Sequence, residues 1–253
     1  MGLFDLPGPL FSAIDGALET LLPEVLRLLL WGVLAGWLTM ITYRRLSNQE
    51  RIGQLKAEQK VQQKLIAGFD GEFQELLPLI RKTLGTGFRQ LGLALGPALL
   101  ATIPVLFLLV WVAGRFAHEL PEPGQFVEFT PEPAAAALHW QPADAAARAD
   151  GSWTLEWPQP ERRFRLGDGE QVFLELPLEK PVPVIHKQRW WNLLMANPIG
   201  YLPDDSPLEV VQIGLPENIL IPVGPGWMRG WMFSFFASFL LSSVAFKFLM
   251  KID

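Results

Sequence analysis

The sequence predicts an α-helical membrane protein. Three transmembrane helices are expected, with a cytoplasmic helical hairpin between the first two and an extracytoplasmic small β-sandwich-like domain between the second and third. Three observations predict it. Half of the 253 residues are hydrophobic, an ordinary share for a globular chain, but they collect into three long runs. The charges lie almost entirely between those runs. Lys and Arg dominate one short connection, while acids dominate the segments on the other side of it.

Residues 1–24 contain four acids (Asp5, Asp15, Glu19, Glu24) and no Lys or Arg. A secretory leader begins with basic residues, so this segment is expected to stay. Phe11, Ile14, Leu18, Leu21 and Leu22 recur at helical spacing after Pro9, the pattern of a short helix lying on the outer membrane surface. The apolar runs at 25–43, 91–114 and 229–248 each match the roughly 20 residues that cross a hydrocarbon core. Arg27 interrupts the first near its start. Trp227 and Trp231 mark an interfacial belt at one end of the third.

Orientation follows from charge. Segment 44–90 has nine basic residues and five acids; segment 115–229 has nine basic residues and sixteen acids. Short loops rich in Lys and Arg stay cytoplasmic. Segment 44–90 and the tail 249–253, where Lys247 and Lys251 face Asp253, are therefore expected inside. The N-terminus and domain 115–228 are expected outside.

The inner segment reads as two helices. Ser47-Asn48-Gln49-Glu50 fits a capping box. Ile52, Leu55, Val61 and Leu65 make a thin apolar stripe, and Gly68-Phe69-Asp70-Gly71 a turn. Phe73, Leu76, Leu77, Ile80 and Leu84 share one face of a second helix, which Gly85 and Gly87 are expected to end. The pair forms a short antiparallel coiled coil.

Within the spans, Gly32-x-x-x-Gly36 and Gly92-x-x-x-Gly96 permit close helix approach. Pro97 and Pro104 each remove a backbone donor. Ser234, Ser238 and Ser242 lie on one stripe of the third span. These residues either pack helices together or converge on a cytoplasm-facing groove ringed by Thr39, Thr42, Arg44, Thr102, Ser238, Ser242 and Lys247. Such a groove would reduce the cost of bringing a polar segment into the bilayer, where a charge costs from about 3 to over 10 kcal/mol. Apart from Arg27 near the start of the first run, and Arg229 and Lys247 at the ends of the third, the runs hold no acid or base, which argues against a proton-coupled pump.

Domain 115–228 alternates Pro-rich patches with short β-branched and aromatic runs. Strands are expected at 125–130, 152–157, 171–176, 182–185, 209–213 and 218–223, with a turn at Gly167-Asp168-Gly169 and a helix over 188–196. With no cysteine, disulfides and thiolate chemistry are excluded. His118, His139 and His186 lack ligand spacing, and no phosphate loop or Ser-His-Asp signature occurs. No enzymatic activity, cofactor or metal is expected, and the net charge of −5 excludes bulk nucleic-acid binding.

The order of span, charged hairpin, span, outer insertion and final span resembles the YidC/Oxa insertase superfamily. The likeness is to its minimal three-span members, such as the archaeal YidC-like proteins and the insertase subunit of the eukaryotic ER membrane complex. It is carried by Arg44-Arg45-Leu46-Ser47, by Gly53-Gln54-Leu55-Lys56-Ala57-Glu58-Gln59-Lys60, and by the stretch 77–112 with its Ile103-Pro104-Val105-Leu106 core. The resemblance implies a bacterial inner-membrane insertase or chaperone that shelters polar flanks of client segments in the groove. The implied partners are the lipid bilayer, hydrophobic client membrane proteins, and the ribosome or other membrane proteins. The β-domain stands where larger bacterial members carry a helical hairpin, and no mid-span arginine matches their groove arginine. The competing expectation is a membrane-anchored scaffold whose β-domain binds a protein or glycan.

Overall fold

The computed structural model describes residues 2–134, 138–143, 146–149 and 151–252, with residues 147–149 described by backbone alone; Asp253 of the expected tail lies outside them. Three of its helices are long and apolar enough to cross a membrane: α2 (Glu24–Leu46), α4 (Phe73–Phe116) and α6 (Trp231–Leu249). A separate antiparallel sheet domain follows α4. The chain divides into two compact units, Met1–Leu28 with Phe107–Phe235, and Leu29–Leu106 with Phe236–Asp253.

In the second unit, α2 ends at Leu46 and α3 (Gln49–Ala67) begins after a break at Ser47-Asn48. The cap is Asn48, one residue later than the capping-box reading. Its side-chain oxygen accepts from the Arg51 amide at 3.0 Å. The Ser47 hydroxyl instead donates to the Tyr43 carbonyl at 2.6 Å, closing the last turn of α2. Ile52, Leu55 and Gln62 are the buried residues of α3, a seam narrow enough to need a partner helix. The Gln59 side chain lies 3.4 Å from where a Cβ on Gly87 would stand, so α3 folds back along α4.

Helix α4 does not stop at Gly85 and Gly87. It runs unbroken for 44 residues, through Pro78, Pro97 and Pro104, about 66 Å at 1.5 Å per residue. Glycine costs only about 1 kcal/mol in a helix interior, which its long apolar neighbours offset. The hairpin arm and the second apolar run belong to one helix.

In the first unit, the sheets order as β3-β4-β1-β8-β7 and β2-β5-β6, all pairs antiparallel. The strands are β1 (Phe126–Glu132), β2 (His139–Gln141), β3 (Ala146–Ala149), β4 (Ser152–Glu156), β5 (Phe164–Gly167), β6 (Val172–Leu176), β7 (Val184–His186) and β8 (Val210–Ile213). β1 alternates exposed and buried residues along its whole length, the period-2 signature of one buried face. Both sheets feed one aromatic core: Phe129 of β1 meets Trp140 of β2 at 5.2 Å between ring centroids, and Trp140 meets Trp153 of β4 at 6.4 Å.

Five expected strands appear with shifted ends. The sixth, 218–223, is a connector whose Leu220 and Ile221 amides both donate to the Arg229 carbonyl, in the short helix α5 (Gly226–Arg229). Pro222 and Pro225 deny it a strand's run of donors. The expected helix at 188–196 is a single 3-10 turn, Asn192–Leu194.

The N-terminal segment forms a 3-10 turn (Leu3–Asp5) and helix α1 (Gly8–Glu19). α1 runs beside the last turns of α4. Phe4 packs on Phe107 at 5.0 Å and Phe11 on Trp111 at 5.6 Å. The Trp111 indole donates to the Ser12 hydroxyl at 3.0 Å, and Arg115 reaches Asp15 at 3.3 Å. Within α1, Phe11 and Ser12 both meet Trp111, and Asp15 and Glu19 both meet Arg115.

Candidate functional site

The polar residues expected to ring a groove all belong to the second unit. Ser238 and Ser242 on α6 are buried. A Cβ on Gly36 of α2 would collide with the Ser242 hydroxyl and stand 3.0 Å from the Phe239 carbonyl. Gly36 therefore lets α2 and α6 touch backbone to backbone at the Ser242 level, as small residues do between apolar helices. The Ser242 hydroxyl donates to the Phe239 carbonyl at 3.0 Å, and Thr39, one turn beyond Gly36, donates to the Ala35 carbonyl at 2.8 Å. These hydroxyls satisfy themselves on their own helices. Thr42 is half-buried. Arg44 and Lys247 are exposed near the C-terminal ends of α2 and α6.

Thr102 is exposed on α4, donating to the Leu99 carbonyl at 2.7 Å. It is not among bare polar neighbours. It ends a line of exposed residues, Leu84, Phe88, Leu91, Leu95 and Leu99, spaced three or four apart and so on one helix face; Leu93, Leu100 and Ile103, on other faces of α4, are exposed as well. Gly92 and Gly96, the second small-residue pair, have open space where a Cβ would stand. One glycine motif thus seats a helix and the other lies uncovered within this chain.

Sequence reasoning missed a charged cluster in the first unit. Arg27, 4% exposed, donates to Asp15, which is 1% exposed, at 2.5 Å. Arg115 approaches the same Asp15 oxygen at 3.3 Å and Glu19 at 3.1 Å; Glu19 also lies 3.4 Å from Arg27. Both guanidinium carbons stand 5.7 Å from the centroid of the fully buried Phe116 ring. Two acids four apart on α1 thus bind one arginine from each of α2 and α4. The signal was present. A lone Arg inside an apolar run needs an opposite charge, and Asp15 and Glu19 share a helix face.

The sheet domain holds its own local charges. Arg189 grips Glu209 through contacts of 2.6 and 2.7 Å. This hydrogen bond holds the Glu209 carboxyl below its ordinary range and the Arg189 guanidinium above its own. Backbone amides of Gln171 and Glu170 likewise lower Asp168, whose side chain closes the expected Gly167–Gly169 turn. Burial, then the nearby Asp5 carboxylate, pushes the Tyr201 phenol up. Among the described residues no three His, Asp or Glu side chains are grouped to hold a metal ion. The chain matches no protein-family model, no curated protein and no solved structure.

Proposed function

We propose that the protein is a membrane-protein insertase or chaperone of the YidC/Oxa type in a bacterial inner membrane. In this reading the α3–α4 hairpin and C-terminus face the cytoplasm, while the N-terminus and sheet domain face outward. The observation that carries it is the exposed apolar run that continues along α4 from the hairpin end, where Leu84 and Phe88 are bare. From Leu84 to Thr102 it runs 18 residues, about 27 Å, from the hairpin into the apolar run without a break in the helix.

On a cytoplasmic hairpin such a face is costly unless something covers it. Burying one Leu or Phe side chain is worth about 1.5–3 kcal/mol, and Phe88 is 71% exposed. A hydrophobic client segment can cover Leu84 and Phe88 first, then exchange those contacts for Leu91, Leu95 and Leu99 as it moves inward. Each step replaces apolar contact with apolar contact. Thr102 offers a hydroxyl at mid-span to a client's polar flank, and Arg44 and Lys247 offer positive charge at the cytoplasmic edge.

Photo-crosslinkers at Phe88, Leu95 and Thr102 are expected to trap nascent hydrophobic segments, while one at Lys60 does not. Failure of all three in correctly inserted protein refutes the proposal. The scaffold reading instead places function in the sheet domain, where Glu128, Thr130, Val184 and Gln212 line a cleft. It requires that removing residues 119–225 abolish function and that Phe88→Ser or Leu95→Ser leave it intact. The insertase reading requires the opposite ranking.

A further inference from the structure

The first unit presents an exposed apolar surface that neither the sheet core nor the α4 face uses. Two segments far apart in sequence build it. In the loop 187–201, the buried Asn192 organises the backbone. Its amide donates to the Lys187 carbonyl at 2.7 Å and its side-chain oxygen accepts from the Arg189 amide at 2.8 Å. The Tyr201 hydroxyl donates to the Asn192 carbonyl at 3.1 Å. With these polar groups satisfied inward, Trp190, Trp191, Leu194 and Met195 are left exposed, Trp190 by 84%.

The second segment is the N-terminal turn. The Asp5 carboxylate accepts from the Gly2 amide at 2.8 Å and from the Asn197 amide at 2.7 Å. Gly2 also packs directly on the Met195 carbonyl, where a Cβ would collide. Leu6 and Leu10, in and just after this turn, are exposed. Loop and turn are thus pinned together.

Their depth can be read from α4. Phe4 sits at the level of Phe107, and Asp15 at the level of Arg115. Those positions are eight residues apart, about 12 Å along the helix axis. The apolar run of α4 ends at Gly114, so the turn and its attached loop lie well inside the length of that run. Half the hydrocarbon thickness is about 15 Å.

We propose that the 187–201 loop and the N-terminal turn form a wedge seated in the outer leaflet of the bilayer that α4 spans. Trp190 and Trp191 occupy the headgroup boundary, as aromatic belts do. Leu6, Leu10, Leu194 and Met195 lie among acyl chains. The wedge rests on the reading of α4 as a span, and it makes the sheet domain a membrane-seated body instead of a tethered one.

The chain has no cysteine, so single spin labels can be placed in the full-length protein in phospholipid nanodiscs. Leu194→Cys and Leu6→Cys are expected to favour collision with oxygen over a water-soluble nickel chelate, as Leu100→Cys in the span does. Asp168→Cys in the exposed turn shows the reverse. If both wedge labels meet nickel while Leu100→Cys meets oxygen, the wedge is overturned and the span stands. If neither reagent reaches them, protein covers the surface and the wedge is again overturned. If Leu100→Cys meets nickel, the span reading fails and takes the wedge with it.

Discussion

Replacing Asp15 by Asn tests how α1 is held. Asp15 is the shared anion of Arg27 and Arg115, and the Arg27 side chain is almost wholly buried. Among the described residues the Nε of Arg27 has no partner of its own, so its compensation comes through the terminal nitrogens, chiefly from Asp15. Removing one member of a buried pair costs about 3–5 kcal/mol, because the other charge remains desolvated. The Arg115 side chain is 38% exposed and keeps Glu19; an exposed pair is worth at most about 1 kcal/mol. The expected cost of Asp15→Asn is therefore about 3–5 kcal/mol, with Arg115→Gln near 1 or less. The double variant Asp15→Leu/Arg27→Met removes both charges from the apolar site and is expected to recover most of the loss. Equilibrium unfolding in mixed dodecylmaltoside and SDS micelles reads all four proteins. An Asp15→Asn cost no larger than a surface pair's, or a double variant as unstable as the single, refutes the burial argument.

Gly36→Leu is expected to cost at least about 1–3 kcal/mol by overpacking, because the neighbours it would strike are α6 backbone and the Ser242 hydroxyl. Gly92→Ala, in open space, is expected to gain up to about 1 kcal/mol of helix propensity; the same unfolding assay ranks the two. In the sheet domain Glu209 has a folded pKa below its unfolded one, from the Arg189 hydrogen bond. Its contribution is complete above the unfolded carboxyl value of about 4.3 and disappears as pH falls through the folded one. Glu209→Gln is expected to be less stable than the unsubstituted protein at neutral pH, by the small amount of an exposed pair, and to converge with it as pH falls through the folded value, in a pH series of unfolding transitions.

The parts of the fold legible in the sequence are those set by local pattern. Three apolar runs of span length, a glycine turn at 68–71, and the short β-branched and aromatic runs at 125–130 and 152–157 each need no distant partner to be recognised. Of the strands that escaped notice, β5 alternates Phe164 and Leu166 with Arg165, whereas β2 and β3 lack such a signal. β3 is Ala-Ala-Arg-Ala and carries no β-branched or aromatic residue, so only its pairing with β4 makes it a strand. β2 has three residues, too few for a period. Gly85 and Gly87 misled in the other direction, because propensity weighs each glycine alone while a 44-residue helix averages over its neighbours.

The polar stripe was legible as composition and ambiguous as geometry. Ser, Thr and Gly at helical spacing suit either a packed seam or a lined groove, and only the approach of Gly36 to α6 distinguishes them at Ser242. The N-terminal helix carries the same lesson with charge. An apolar stripe on 10–22 fits a helix lying flat on a surface equally well as one standing beside a span, since both bury one face and expose the other. What the periodicity does not show is where Asp15 and Glu19 find cations. Asp15 is desolvated and tied to α2 and α4 at once. The partner residues lie 12 and 100 positions away, beyond any periodic reading. Pairing each charge inside an apolar run with the nearest unmatched acids is the step that would have recovered the cluster from the sequence.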